Sequence, residues 1–320
     1  MIKYDGLKKI FLPTYVEIFT MSEMPAELYI FDNLGGFDHN YRNKIFDHIQ
    51  LHTKNKITVI CNAILKNSVK NQYPELNFQF EHYDPPWQAF NDYISHPTIN
   101  YENFLCSFNG APHVSRKLLV SILHKFGYFK SIYCSKNFSY NQDMLDGHIV
   151  DAVGNDEKFY RKFFISDDSD NFFESIYSFG LTQYDHEQNI YNLESKLTKS
   201  FLHIASETTA TSYQPFVTEK FLYSIVTRGL FLSYAPFGWH EHIEKYYGFK
   251  LYTKLFDYRF DTIANPVKRL VELITMISKF SHLTPAEWHD LYQLEQDTIE
   301  YNYNHYFSKK YLEHLRTYSD

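Results

Sequence analysis

Short strand-forming runs alternate with helix-forming runs along most of this chain, and no Gly/Ser-rich linker, internal repeat or low-complexity tract interrupts them. Leu28-Tyr29-Ile30-Phe31 reads as a strand and precedes a helical stretch from 41 to 51. Ile57-Thr58-Val59-Ile60-Cys61 is a second strand, and Phe78-Gln79-Phe80-Glu81-His82 alternates as a third. Asp84-Pro85-Pro86 turns the chain before a short helix over 87–94, and residues 96–103, with Pro97, suit a domain crossing. The second half repeats the logic. Phe104-Leu105-Cys106-Ser107-Phe108 is a strand, Ser115 caps a helix running to 126, and Ser131-Ile132-Tyr133-Cys134 returns as a strand. Phe201-Leu202-His203-Ile204-Ala205 is the next strand. A loop, a helix over 218–228 stopped by Gly229, and the strand Leu230-Phe231-Leu232-Ser233-Tyr234 follow. Strands separated by helices predict an α/β protein with parallel sheets. Residues 285–315 read as helical, so the expected division is 1–100, 101–280 and a C-terminal helical segment, 281–320, packing back on the first domain.

Composition narrows what such a fold does. The chain has 320 residues, enough for two domains, and a hydrophobic fraction of 44% fills real cores. Twenty-eight Tyr and 29 Phe exceed ordinary packing needs, and the Phe-, Tyr-, Ile-, Asn- and Lys-rich usage suits an AT-rich viral or bacterial coding sequence. A net charge of −7 without a long basic block lacks the footprint of a nucleic-acid binder. Cys61, Cys106 and Cys134 have no CxxC spacing and lie in or beside apolar runs, as reduced buried thiols do. Without a signal-type N-terminus or an apolar run near the ~20 residues of a spanning helix, the expectation is a cytoplasmic protein with no membrane span.

The sharpest local signal is charge at two helix starts. A helix N-terminus carries about half a positive charge, so a cation there is unfavourable by ~0.3–1 kcal/mol. Yet one helix opens with Ser115-Arg116-Lys117, and the other places Lys220 in its first turn after Thr218. Both follow a strand and a loop, which puts both at the carboxyl edge of a parallel sheet, where α/β folds bind ligands. A cation beside backbone N–H groups makes an anion site, and a diphosphate bridging the two starts accounts for both placements. Two cations extending independently into water account for them equally well, and spacing does not decide.

The residues around these starts resemble a known family. Phe201-Leu202-His203-Ile204-Ala205-Ser206-Glu207, continued by Phe216-Val217-Thr218-Glu219-Lys220, resembles the donor-binding motif of α-1,3-fucosyltransferases and of viral and bacterial fucosyltransferase-like proteins. There a strand ends in Phe-Glu-Asn-Ser/Thr, and a short loop leads to Tyr-Val-Thr-Glu-Lys at a helix start. Gly229-Leu230-Phe231-Leu232 is similar to the glycine and small apolar strand that follow. Upstream, Ser107-Phe108-Asn109-Gly110-Ala111-Pro112 through Arg116 is similar to the family's Ser-Asn…Arg helix start. Tyr247-Gly248-Phe249-Lys250 and Phe256-Asp257-Tyr258-Arg259-Phe260-Asp261 resemble a downstream pattern of the branch. The resemblance spans 104–261. Ser206 stands where the family has Phe, the loop to Val217 is longer, and residues 1–100 carry no matching motif.

The resemblance implies a GT-B-like fold, two Rossmann-like domains facing a cleft. It implies an inverting glycosyltransferase whose partners are a nucleotide-sugar donor and a glycan or other hydroxyl acceptor. Arg116 and Lys220 would hold the donor diphosphate, Glu219 the sugar or ribose, and Glu207 would order the loop or contact the donor. Thr218 belongs to the same motif. No cofactor beyond the donor and no metal is implied, the cationic edge standing in for Mg²⁺ or Mn²⁺ at the leaving diphosphate. A carboxylate of the other domain would deprotonate the acceptor. Glu81 is the first choice and Asp84 the second, although ordinary surface carboxylates read identically.

Two other signals rank lower. Asp168-Ser169-Asp170 has the Asp-x-Asp spacing of metal-dependent glycosyltransferases, but it sits in a polar stretch that reads as an exposed acidic turn. His240 and His242 lie two apart, so a helix directs them to different faces and disfavours a shared zinc. Two competing readings remain: a glycosyltransferase of modified DNA bases, which the acidic balance disfavours, and a non-catalytic nucleotide-sugar-binding module.

Overall fold

Ile57-Thr58-Val59-Ile60-Cys61 has four β-branched residues in five, a composition that suits a pleated surface and crowds a helix. It forms an inner strand of a parallel sheet. The computed structural model describes residues 8–11, 27–31, 39–52, 57–61, 67–80, 85–93, 97–109, 114–125, 186–207, 210, 215 and 217–316. In chain order the first elements are β1 (Lys8–Phe11), β2 (Glu27–Phe31), α1 (His39–His52), β3 (Ile57–Cys61), α2 (Asn67–Gln72), β4 (Leu76–Phe80) and the single turn α3 (Pro85–Gln88). The four strands pair in the order β1-β2-β3-β4, all parallel. Val59 lies opposite Leu28 on one side and Phe78 on the other. Phe46 of α1 is buried, its ring edge-on to Tyr73 at 5.3 Å and to Phe78 at 5.1 Å.

The second group comprises β5 (Asn103–Cys106), α4 (Val114–Lys125), α5 (His186–Thr198), β6 (Ser200–Ser206), a 3₁₀ turn (Glu219–Phe221), α6 (Leu222–Val226) and β7 (Leu230–Tyr234). Then come α7 (Trp239–Tyr247), a second 3₁₀ turn (Tyr258–Thr262), α8 (Pro266–Ser278), α9 (Pro285–Leu294), α10 (Gln296–Phe307) and α11 (Lys310–Arg316). Strands β5, β6 and β7 form a second parallel sheet with β6 in the middle. Every residue of β6 and β7 is buried, as expected for parallel strands covered on both faces. Helices α5, α4 and α9 pack on β6, α4 also meets α8, and α10 covers α6. His203, the one ionisable group inside β6, hydrogen-bonds Ser224 through Nδ1 at 2.7 Å. Burial pushes its pKa down to about 3, so it is a neutral core residue at physiological pH. Cys106 is a buried free thiol whose pKa burial pushes up to about 12.

The C-terminal helices close this core. Trp87, within α3, stacks on Tyr247 at 5.2 Å and lies 5.5 Å from Phe221 and 5.0 Å from Tyr311. Its backbone carbonyl accepts the Tyr306 hydroxyl. Residues 248–255 form an irregular strap whose backbone is met by side chains of the following helices. Asn302 bonds both the N–H (2.8 Å) and the carbonyl (2.9 Å) of Lys250. Glu295 accepts the Lys254 N–H at 2.6 Å, and Tyr301 donates to the Gly248 carbonyl at 3.2 Å. Thr284 and Glu287 form a capping box on α9, and Asn265 caps α8 ahead of Pro266.

Several expected bounds move. Strand β5 ends at Cys106, because Ser107 turns its hydroxyl onto the Ile204 carbonyl at 2.8 Å. Helix α4 begins at Val114, so Ser115 lies inside its first turn and is not the cap. The helix expected over 218–228 is a 3₁₀ turn followed by the five residues of α6. Its stop is not Gly229. Arg228 takes the left-handed conformation, φ 56°, and the Gly229 N–H closes on the Ser224 carbonyl at 2.7 Å. The strand expected at 131–134 lies outside the described residues. No described helix is long and apolar enough to cross a membrane.

Candidate functional site

Strand β6 runs into the site. Its ladder with β7 continues one residue past Ser206, where the Glu207 N–H donates to the Tyr234 carbonyl at 3.0 Å. This bond fixes the Glu207 backbone at the carboxyl edge of the central strand, and the residue is 1% exposed. Thr218 binds both carboxylate oxygens. Its N–H donates to Oε1 at 3.2 Å, and its hydroxyl donates to Oε2 at 2.5 Å. The Lys220 ammonium donates to the Thr218 hydroxyl oxygen at 2.8 Å and stands 4.0 Å from Glu207 Oε2 and 3.6 Å from Glu219 Oε1. Four residues read from the sequence as donor contacts, Glu207, Thr218, Glu219 and Lys220, therefore form one connected group.

Thr218 has the spelling of an N-cap, with extended backbone (φ −108°, ψ 177°), but makes no capping bond. Its hydroxyl is directed back across the loop to Glu207. With only a 3₁₀ turn and α6 behind it, the positive field here comes chiefly from the Lys220 ammonium and little from a helix dipole. Burial raises the Glu207 pKa above the ordinary carboxyl range; Lys220 and the two Thr218 bonds oppose that shift, and Glu219 adds to it. Tyr247, on the last turn of α7, is pushed upward by burial and by the Glu207 charge, which places its phenol in the carboxylate's field. Lys220 keeps 20% of its side chain exposed, so one ammonium faces both a buried anion and solvent.

Arg116 occupies the first turn of α4 and is buried. Its helix leaves the same edge of the sheet as Glu207, one strand over, since Cys106 of β5 pairs with His203 of β6. Between them, Asn109 donates to the Ser107 hydroxyl at 3.1 Å, and Ser107 in turn bonds Ile204, tying the loop after β5 to β6. Glu81 and Asp84, the candidate bases, and Asp168 and Asp170 lie outside the described residues.

Two buried groups near this edge were not singled out as site residues. Arg269 of α8 threads its guanidinium among backbone carbonyls. Nε donates to Ala235 (3.1 Å), one terminal nitrogen to Ile263 (2.5 Å) and Ala264 (3.1 Å), and the other to Ala210 (2.5 Å) in the loop after Glu207. One side chain thus joins the loops that follow β6 and β7. The sequence offers no signal for this, because Lys268-Arg269 reads as an exposed helical face. His240 donates through Nδ1 to Asp261 at 2.9 Å, while Nε2 accepts the Ser233 N–H at 3.1 Å. With both ring nitrogens engaged, it is a structural bridge and offers no lone pair to a metal. Among the described residues no group of three or more His, Cys, Asp or Glu is arranged to hold a metal ion.

Comparison with protein-family models, curated proteins and solved structures finds no match for this chain.

Proposed function

We propose that the chain is an inverting, metal-independent glycosyltransferase that takes its sugar from a nucleotide-sugar, with the donor diphosphate held by Lys220 and Arg116. The observation that carries this reading is the group Glu207–Thr218–Lys220 at the carboxyl end of the central parallel strand. Parallel α/β sheets bind ligands at that edge. A partly exposed ammonium, oriented from behind by a buried carboxylate and a hydroxyl, is suited to stabilise charge on a leaving diphosphate. Arg116 enters from the adjoining helix α4, and Glu219 contacts the sugar or ribose. In the GT-B-like arrangement of this proposal, the β5–β7 sheet is the donor side and the β1–β4 sheet the acceptor side. Glu81, with Asp84 as the alternative, deprotonates the acceptor hydroxyl of a glycan or other molecule.

The test is donor hydrolysis. Incubated with GDP-, UDP- and CMP-sugars, the protein should release nucleotide slowly from one of them. Lys220→Ala, removing an electrostatic contact to the leaving group, should cut that rate by about 100-fold or more. Arg116→Ala should do likewise, provided its thermal unfolding confirms a folded variant. Stabilisation by a nucleotide with no turnover on any donor would instead favour a binding module, and no response to any nucleotide would defeat the reading.

A further inference from the structure

Glu207 and Lys220 share one hydroxyl, and this coupling has a consequence for ligand binding that rests on the diphosphate reading of Lys220. Among the described residues, the groups that face the Glu207 carboxylate are the Thr218 hydroxyl and N–H, the Lys220 ammonium and Glu219 from the 3₁₀ turn, and the Tyr247 phenol from α7. From β7 the neighbour is a backbone carbonyl, that of Tyr234, which takes the Glu207 N–H. Among the groups acting on the carboxyl, Lys220 is the cation that favours its ionised form, and it does so from 4.0 Å. The same ammonium reaches solvent.

We infer that an anion bound by Lys220 is taken up together with a proton, which Glu207 receives. A phosphate oxygen at the ~2.8 Å typical of a charge-assisted bond to the ammonium lies within about 7 Å of the Glu207 carboxylate. Its negative charge opposes that of Glu207 across a buried, weakly screened path, and it draws off the field with which Lys220 holds Glu207 ionised. The carboxyl then takes a proton from solvent. The heavy atoms already suit both states. Ionised, Glu207 accepts the Thr218 O–H at 2.5 Å; protonated, it donates across the same distance to the Thr218 oxygen, whose own hydroxyl hydrogen rotates away. The step balances as protein, anion and one solvent proton giving the complex, with no covalent bond other than the new carboxyl O–H.

The experiment is calorimetric titration of the full chain with GDP and with UDP, at about pH 8, well above the ~6 second pKa of a phosphate so that the nucleotide carries no proton of its own, in two buffers of different ionisation enthalpy. The expected result is an observed enthalpy that shifts with the buffer in the direction of proton uptake. Affinity should tighten as pH falls, by up to about tenfold per pH unit, the limit for one coupled proton. Glu207→Gln should remove that uptake, and infrared difference spectra of the wild type should gain the carbonyl band of a protonated carboxyl when nucleotide is added. Nucleotide binding without proton uptake, uptake that persists in Glu207→Gln, or no new carboxyl band would each overturn the inference and leave the diphosphate reading standing. Failure of both nucleotides to bind would overturn the two together.

Discussion

A carboxylate buried as deeply as Glu207 stays charged only while its partners outweigh the hydration it has lost. Two Thr218 bonds and the Lys220 charge work in that direction, but burial is the largest influence and leaves the folded-state pKa above the unfolded value. The sign of the stability effect follows. A group with a raised folded pKa contributes stability that is complete below its unfolded pKa and is lost as pH rises through the folded one. Glu207→Gln has no such dependence. Its melting temperature relative to the wild type should therefore move upward as pH rises above the ~4.3 of an unfolded glutamate. A relative stability that is flat or falls as pH rises would show that Glu207 is ionised at no cost. Arg269 contrasts with it. Its guanidinium is also buried and its pKa is lowered by that burial, yet four backbone carbonyls meet its donors, so it remains a charged tie between loops.

Helix ends decide how the elements around the site are aimed. Gly248 ends α7 at φ 75°, and a Cβ added there would meet Cε1 and Nε2 of His305 at 3.0 Å. That ring is pinned by a 2.7 Å bond to the Tyr247 carbonyl. Gly238, at φ 72°, begins the same helix with nothing within 4 Å of an added Cβ. Gly238→Ala should thus lose only the ~1–2 kcal/mol of a left-handed non-glycine residue. Gly248→Ala should lose at least about 1 kcal/mol more, because overpacking adds to the backbone strain. Denaturant midpoints of the two variants check the difference. The same helix ends show what the sequence conveys. Strands β3, β6 and β7 were legible because continuous apolar or β-branched runs leave few alternatives, and the run through Thr218, Glu219 and Lys220 was legible as a candidate, which the structure joins into one connected group. The stop after α6 was not. The guanidinium of Arg228 lies 3.5 Å over the Tyr303 ring and bonds Glu300 at 2.9 Å, contacts more than 70 positions away that hold a non-glycine residue at positive φ. Likewise the bond from the Thr218 hydroxyl to Glu207 was not legible, because only the fold brings that carboxylate within reach. Helices α5, α7 and α8 went unread although their buried residues recur at helical spacing, as Val267, Leu270, Leu273, Ile274 and Ile277 do in α8.

Across the whole molecule, the core of the β5–β7 sheet is completed by residues from far apart in the chain. Trp87 is 1% exposed among Phe221, Tyr247, Phe249 and Tyr311, and Tyr247 in turn lies in the field of Glu207. Trp87→Ala should destabilise the protein by about 3–5 kcal/mol. Hydrogen exchange should show α7 and α11 losing protection together, because both border the emptied volume; loss confined to residues near 87 would show that the ring is merely local packing. The bond from the Tyr306 hydroxyl to the Trp87 carbonyl joins positions 219 residues apart. Contacts of such separation form late, since the intervening chain must first be ordered. A ribosome making this protein exposes the indole long before it makes the tyrosines that enclose it. Until then that aromatic surface is available to chaperones, or to the same surface on a neighbouring nascent chain.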